Sequence, residues 1–212
     1  MTYPLLVRTG PVGFDLDMTL IDSRAAIMAA FAAVAGETGT AIDLGQVDER
    51  LGIKLEDELA FWFPPERTAE AAAIYRRHYI ELAAERTVAM PGAAAALAAV
   101  RAAGERAVII TAKHEVSVGP SLRAAGLDAD EIVPFVHGPQ KAAVLSRIRA
   151  AAYVGDTPAD VAAATSAGVI GVGVPTGSYS AADLRAAGAE VVLGALTEFP
   201  GWYARSPQPR RT

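Results

Sequence analysis

The chain alternates between short, continuous apolar runs and longer stretches with helical character. The runs are residues 12–15, 107–111, 132–136, 151–154 and 169–174, each bounded by Gly, Asp or Thr. Apolar residues that are continuous rather than alternating predict strands buried on both faces. Helices are predicted between them at 93–103, 114–125, 139–150 and 158–167. Gly104, Gly126 and Gly168 stand just past three of these, where a helix commonly stops. A last unit follows: a helix at 180–187, Gly188 as its stop, and an edge strand at 190–193. Strand and helix in alternation predict βαβ units, hence an α/β fold with a Rossmann-like parallel sheet core and helices on both faces.

Residues 20–90 break this rhythm. Helical signals occur at 23–37, 45–51, 54–62 and 68–86, with Pro64-Pro65 punctuating the last two and no convincing strand. The predicted organisation is a core built from 1–19 and 91–203, interrupted by an inserted α-helical domain over 20–90. The stretch 204–212 carries Arg205, Pro207, Pro209, Arg210 and Arg211 with no apolar residue after Ala204, and is expected to be a disordered tail.

Composition narrows the function. About half of the 212 residues are hydrophobic, enough for one sizeable core or for a core domain with a smaller inserted one. The formal net charge is −5, so a nucleic-acid backbone or an anionic membrane is not the expected partner. The absence of cysteine excludes disulfides, thiolate catalysis and cysteine metal sites, and points to a reducing compartment. The N-terminal residues lack the pattern of a signal peptide. The longest apolar stretch, 88–100, is interrupted by Pro91-Gly92 and is too short to span a bilayer. A soluble cytoplasmic protein is expected.

The chemistry is concentrated at the ends of predicted strands. Gly13-Phe14-Asp15-Leu16-Asp17-Met18-Thr19-Leu20 closes the first strand, and ligands of doubly wound sheets bind at the carboxyl ends of strands. Asp15 and Asp17 are two apart, so in an extended segment both face one way and need a cation or a shared proton. Gly155-Asp156-Thr157-Pro158-Ala159-Asp160 likewise follows a buried strand and opens a helix. Asp156 is placed to reach a metal held by Asp15, and carboxylates with water are the ligand set of Mg²⁺. Asp156 or Thr157 can also cap the helix, a role compatible with the first. Asp160, one turn later, is placed to hold a water or a lysine amine. Thr111 at the end of its strand can donate to a phosphate oxygen, and backbone amides beyond it, beginning at Ala112, can add to the cradle. Lys141 lies just inside a helix start, where it opposes the helix dipole, so a buried ion-pair role beside the aspartates explains it better than a solvated one. Lys113, two residues past Thr111, is a competing cation.

Taken in order, Asp15-x-Asp17-x-Thr19, Thr111 after a hydrophobic strand, Lys141, and Gly155-Asp156-x-x-x-Asp160 resemble the haloacid dehalogenase (HAD-like) superfamily, over roughly residues 10–200. The helical insert is similar to the α-helical cap of the phosphoglycolate phosphatase and β-phosphoglucomutase branch. The resemblance implies a Mg²⁺-dependent phosphatase acting on a small phosphorylated metabolite, as a monomer or homodimer. Asp15 would be the nucleophile that forms an aspartyl-phosphate, and Asp17 the general acid and then base. Thr111, Ala112 and Lys141 would hold the phosphoryl oxygens. Asp15, the backbone carbonyl of Asp17, and Asp156 would bind Mg²⁺, with Thr19 and Asp160 in support.

Two positions depart from the family pattern. Met18 stands where glycine is usual, and Ala112 where the phosphoglycolate-like branch often has asparagine. Asp17 argues against dehalogenation, because the dehalogenase branch lacks that second aspartate. Leu51-Gly52-Ile53-Lys54 falls where such relatives place a specificity loop, so Lys54, and also Arg24, are candidates to contact a second anionic group of the substrate. Phe61, Trp62 and Phe63 are expected to pack inside the cap, His78 to lie on the surface, and His114 and His137 to be weak site candidates. A phosphomutase of the β-phosphoglucomutase type, or a non-catalytic binding protein on the same scaffold, remains open at this point.

Overall fold

The computed structural model describes residues 9–205. In chain order the elements are β1 (Val12–Phe14), β2 (Ile21–Asp22), α1 (Arg24–Thr38), α2 (Leu44–Glu49), α3 (Leu55–Leu59), α4 (Pro65–Arg86) and β3 (Val88–Ala89). They continue with α5 (Ala93–Ala102), β4 (Ala107–Ile110), α6 (Glu115–Ala125), β5 (Glu131–Val133), α7 (Pro139–Ile148), β6 (Ala152–Gly155) and α8 (Pro158–Ala167). The chain closes with β7 (Ile170–Gly173), α9 (Ala181–Ala186), β8 (Val191–Val192), a 3-10 turn (Leu196–Glu198) and α10 (Phe199–Arg205).

Six strands form one parallel sheet in the order β5-β4-β1-β6-β7-β8. This is the predicted α/β, Rossmann-like core. β1 sits between β4 and β6, with Phe14 level with Ile109 on one side and Val154 on the other. From β1 the chain first builds outward through β4 and β5, then returns to the opposite side of β1 for β6. That reversal opens a crevice at the carboxyl ends of β4, β1 and β6.

The local chemistry explains the elements. β4 and β6 are buried at every position, as a strand covered on both faces requires. α8 opens on a capping box in which Thr157 and Asp160 satisfy each other's backbone amides, and Pro158 occupies the first helical position. α9 repeats the device with Ser180 and Asp183. α7 stops at Ile148, short of the predicted residue 150, because Arg149 turns left-handed with φ 53°. The helices of the insert bury their own apolar cluster, which includes Phe31, Val34, Leu59, Phe63, Tyr75 and Tyr79.

Several expectations are corrected. The stretch 20–90 does hold strand: β2 and β3 pair antiparallel, Ile21 with Ala89 and Asp22 with Val88. Two-residue strands carry no periodicity from which to find them. Ala204 and Arg205 belong to α10, whose Phe199, Trp202 and Tyr203 are buried in the main core, Phe199 lying 5.3 Å from the ring of Phe14. The remainder of the expected tail, 206–212, lies outside the described residues. Phe63 is buried and Trp62 donates its indole N–H to Glu58, but Phe61 is 63% exposed, with the Arg50 guanidinium stacked 4.3 Å above its ring. No helix among the described residues is long and apolar enough to cross a membrane.

Candidate active site

Three neighbouring strands deliver three side chains to one place. Asp15 follows β1, Thr111 follows β4 and Asp156 follows β6, and all three are buried. The amide of Asp15 donates to the carbonyl of Val154 at 2.8 Å, so the ladder itself fixes where this carboxylate emerges. Asp160 reaches the same place from the first turn of α8. Gly155 allows this approach, since a Cβ there would stand 2.5 Å from the Asp160 side chain. Carboxylate oxygens of Asp15, Asp156 and Asp160 all lie within 4.8 Å of one another.

Lys141 enters from the first turn of α7. Its ammonium donates to Asp15 Oδ1 at 2.6 Å and to Asp160 Oδ1 at 2.7 Å, with the residue only 6% exposed. Burial alone would push this amine down, but the charges of Asp15 and Asp160 override it and hold it well above the ordinary lysine value. Burial raises the Asp15 carboxyl to about 7, against the pull of Lys141, with the repulsion of Asp160 adding to the rise. Burial also raises Asp156 well above the usual carboxylate range, helped by the charges of Asp15 and Asp160.

The unmet charge defines what this cluster can bind. Three buried carboxylates share one ammonium, which leaves two negative charges without a counterpart in the cluster. Asp160 is fully used: Oδ1 takes Lys141, while Oδ2 takes the Thr157 amide at 3.2 Å and hydroxyl at 2.7 Å. Asp156 Oδ1 accepts from the Thr19 hydroxyl at 2.9 Å. Oδ2 of Asp15 and Oδ2 of Asp156 have no hydrogen-bond partner among the described residues. Two such oxygens, with a charge deficit of two, suit a hard divalent cation such as Mg²⁺.

Asp17 stands apart from that cluster. Its Oδ1 accepts from Lys113 Nζ at 2.7 Å and from Ser23 Oγ at 2.5 Å. Lys113 thus serves Asp17, and Lys141 serves Asp15. The Lys113 ammonium also lies 4.2 Å above the ring of Tyr79 on α4, tying the strand end to the insert. Met18 has a left-handed backbone, φ 60°, a conformation that glycine adopts at no steric cost. Its carbonyl accepts from the Thr176 hydroxyl.

A cavity of about 400 Å³ runs from these strand ends into the insert. Asp15, Asp17, Thr111, Ala112, Lys141, Asp156 and Asp160 line it, as do Lys54, His114 and His137. Arg24 does not line it and pairs with Asp48 at 2.7 Å. Thr19 lies behind the wall, where it orients Asp156. His78 is held by Glu37. Sequence reasoning missed three participants: Ser23 as a partner of Asp17, Tyr79 beneath Lys113, and Gly177, whose backbone crowds Asp156. A lone loop glycine among residues 175–179 gives no signal of such a contact.

Comparison with known proteins places the family and the fold. A family of haloacid dehalogenase-like hydrolases matches residues 12–165, and a second HAD-hydrolase-like family matches 139–199. The chain is 28% identical over 208 residues to IndB of Dickeya dadantii, described as a probable phosphatase, covering 89% of this chain and 90% of the other. It is 29% identical over 206 residues to the plasmid phosphoglycolate phosphatase of Cupriavidus necator, covering 88% and 89%. Among solved structures, a hydrolase from Pseudomonas syringae superposes with TM-score 0.79 at 22% identity, covering 94% of this chain and 100% of the other. CbbY from Rhodobacter sphaeroides in complex with phosphate superposes with TM-score 0.77 at 20% identity, covering 89% and 95%.

Proposed function

The chain belongs to the haloacid dehalogenase-like hydrolases, and on that premise we propose that it is a Mg²⁺-dependent phosphatase that cleaves a small phosphomonoester through an aspartyl-phosphate on Asp15. The observation that carries this reading is the gathering of Asp15, Asp156 and Asp160 carboxylate oxygens within 4.8 Å of one another at the open end of the sheet, with Lys141 paired to Asp15 and Asp160. The relatives described as phosphatases, over most of their length, support it. In the same reading the cap spans 20–90 over a core of 1–19 and 91–203, of which 1–8 lie outside the described residues, and the protein works in the cytoplasm.

The residues divide the work. The Asp15 carboxylate attacks phosphorus while the bond from phosphorus to the leaving oxygen breaks. Asp17 supplies the proton that the leaving oxygen takes, through Oδ2, because Oδ1 is held by Lys113 and Ser23. In the second step Asp17 recovers a proton from water as that water attacks the phosphoaspartate, which releases inorganic phosphate and restores Asp15. Thr111 and the amide of Ala112 donate to the phosphoryl oxygens. Lys141 offsets their charge, favours the ionised form of Asp15 against the effect of burial, and aims it. Asp15 and Asp156 would hold Mg²⁺, with the Asp17 carbonyl as a further ligand. The ion supplies charge stabilisation for the transferring phosphoryl group. Asp160 and Thr19 act from behind, on Lys141 and Asp156 respectively.

The Asp15→Asn protein tests the reading. Phosphate release from 4-nitrophenyl phosphate with Mg²⁺ should fall to background while the melting temperature is retained. Unchanged turnover would remove Asp15 from its role.

A further inference from the structure

The walls of the cavity above the phosphoryl site favour one kind of leaving group. Seven carboxylates and five Lys or Arg side chains line it. A divalent ion brings that wall to neutrality, and the substrate's own phosphate then leaves it negative. Every one of the five cations already has a carboxylate within 4 Å. Lys141 serves Asp15 and Asp160, and Lys113 serves Asp17. Arg50 grips Glu58 with two hydrogen bonds, of 2.8 and 2.7 Å. Arg76 is bound to Glu56, and Lys54 lies 3.9 Å from the other oxygen of that same Glu56. Each cation on the wall therefore has a carboxylate as its neighbour, although Lys54 makes no hydrogen bond to Glu56 and Arg76 Nε has no hydrogen-bond partner among the described residues. Apart from Asp57, the rest of the lining contributed by the insert is apolar or aromatic and includes Ile27, Phe31, Val47, Leu51, Tyr75 and Tyr79. An apolar group gains on entering such a place, whereas a carboxylate loses water there and meets no cation without a carboxylate neighbour of its own.

We infer that the phosphomonoester carries a neutral, largely apolar or aromatic leaving group, and that Glu56 is the specificity determinant that rejects an anionic one by occupying both Arg76 and Lys54. This rests on the phosphatase reading and departs from the expectation that Lys54 greets a second anionic group. Its selectivity is nevertheless measurable without turnover.

The experiment compares benzyl phosphate with 2-phosphoglycolate as substrates of the Mg²⁺-loaded protein. In parallel, calorimetry compares binding of benzylphosphonate and phosphonoacetate, which cannot be hydrolysed. Benzyl phosphate should be preferred at least tenfold in kcat/KM, and benzylphosphonate should bind at least tenfold tighter. Glu56→Gln, checked for an intact melting transition, should shift the kcat/KM ratio at least tenfold toward 2-phosphoglycolate, because Arg76 and Lys54 are released. Preference of the wild-type protein for 2-phosphoglycolate, or equal binding of the two phosphonates, would overturn the inference and leave the phosphatase reading intact. Tight benzylphosphonate binding without release of phosphate from either ester would support the selectivity and overturn the phosphatase reading.

Discussion

Lys141 and Asp15 are 126 positions apart in the chain and 2.6 Å apart in the folded protein. The same ammonium reaches Asp160 at 2.7 Å, so one cation on α7 joins the end of β1 to the start of α8. The position is costly by local rules, since a cation in the first turn of a helix opposes the macrodipole. Tertiary contact with two buried carboxylates overrides that local preference.

Replacing Lys141 therefore acts on stability as well as on turnover. Lys141→Met keeps the apolar stem but leaves Asp15 and Asp160 buried without their cation. Breaking a buried pair by removing one partner typically destabilises by about 3–5 kcal/mol. The metal-free variant should show that loss in urea denaturation, Mg²⁺ should restore part of it, and phosphatase activity should fall to background. Lys141→Arg should not rescue activity, because a planar fork does not reproduce a compact ammonium between two oxygens. Wild-type stability in Lys141→Met would mean that the pair contributes nothing to the fold.

The pH dependence of metal binding follows from the raised carboxyls. Burial lifts Asp15 from 3.8 to about 7 and raises Asp156 as well. A carboxyl whose pKa rises on folding favours the folded state while it is protonated. That advantage is full below about pH 4, the unfolded value, and is lost as pH climbs through the folded value near 7. In the proposed function Mg²⁺ would bind the ionised pair, and so would compensate the loss where the loss is greatest. The rise in Tm on adding Mg²⁺ should be close to zero at pH 5 and grow toward pH 8. At a hundredfold excess over Kd it amounts to about 2.7 kcal/mol, or roughly 5–10 °C for a chain of this length. A Mg²⁺-induced shift that is the same at pH 5 and pH 8 would contradict the assignment of these carboxylates as ligands.

What could be seen in advance follows a physical line. β4 and β6 are legible because burial on both faces leaves an unbroken apolar run, and α8 because Thr157-Pro158 and Gly168 mark both of its ends. Asp15, Thr111 and Asp156 are legible as strand-end polar residues, since a parallel sheet presents such residues at one edge. β2 and β3 are not, because two paired residues are held by their partners and carry no period of their own. α10 is not, because its buried Phe199, Trp202 and Tyr203 sit beside Pro200 and Gly201, which read as breakers. The division of the two lysines is also invisible: only the folded chain shows Lys113 resting on Tyr79 and pointing to Asp17.

Gly177 gives the sharpest test of how the proposed metal ligands are placed. A Cβ built on it would stand 2.0 Å from Asp156 Oδ2 and 3.4 Å from the Met18 Cβ. The first distance is far inside contact, so Gly177→Ala must move either the loop or the carboxylate. Asp156 is the softer of the two, being a short side chain fixed at its other oxygen by the Thr19 hydroxyl alone. Its displaced oxygen is the one with no hydrogen-bond partner among the described residues, the one assigned to the ion. Gly177→Ala should therefore fold with near wild-type stability in the absence of Mg²⁺. Its metal affinity, read as the Mg²⁺ dependence of Tm and of phosphate release, should fall by roughly 10–100-fold, the usual penalty for disturbing a ligand's support. Combining it with Thr19→Val, which frees the carboxylate to rotate, should change metal affinity by less than the sum of the two single effects, because both act through the same side chain. A wild-type Mg²⁺ response in Gly177→Ala would show that Asp156 Oδ2 is not where the ion binds.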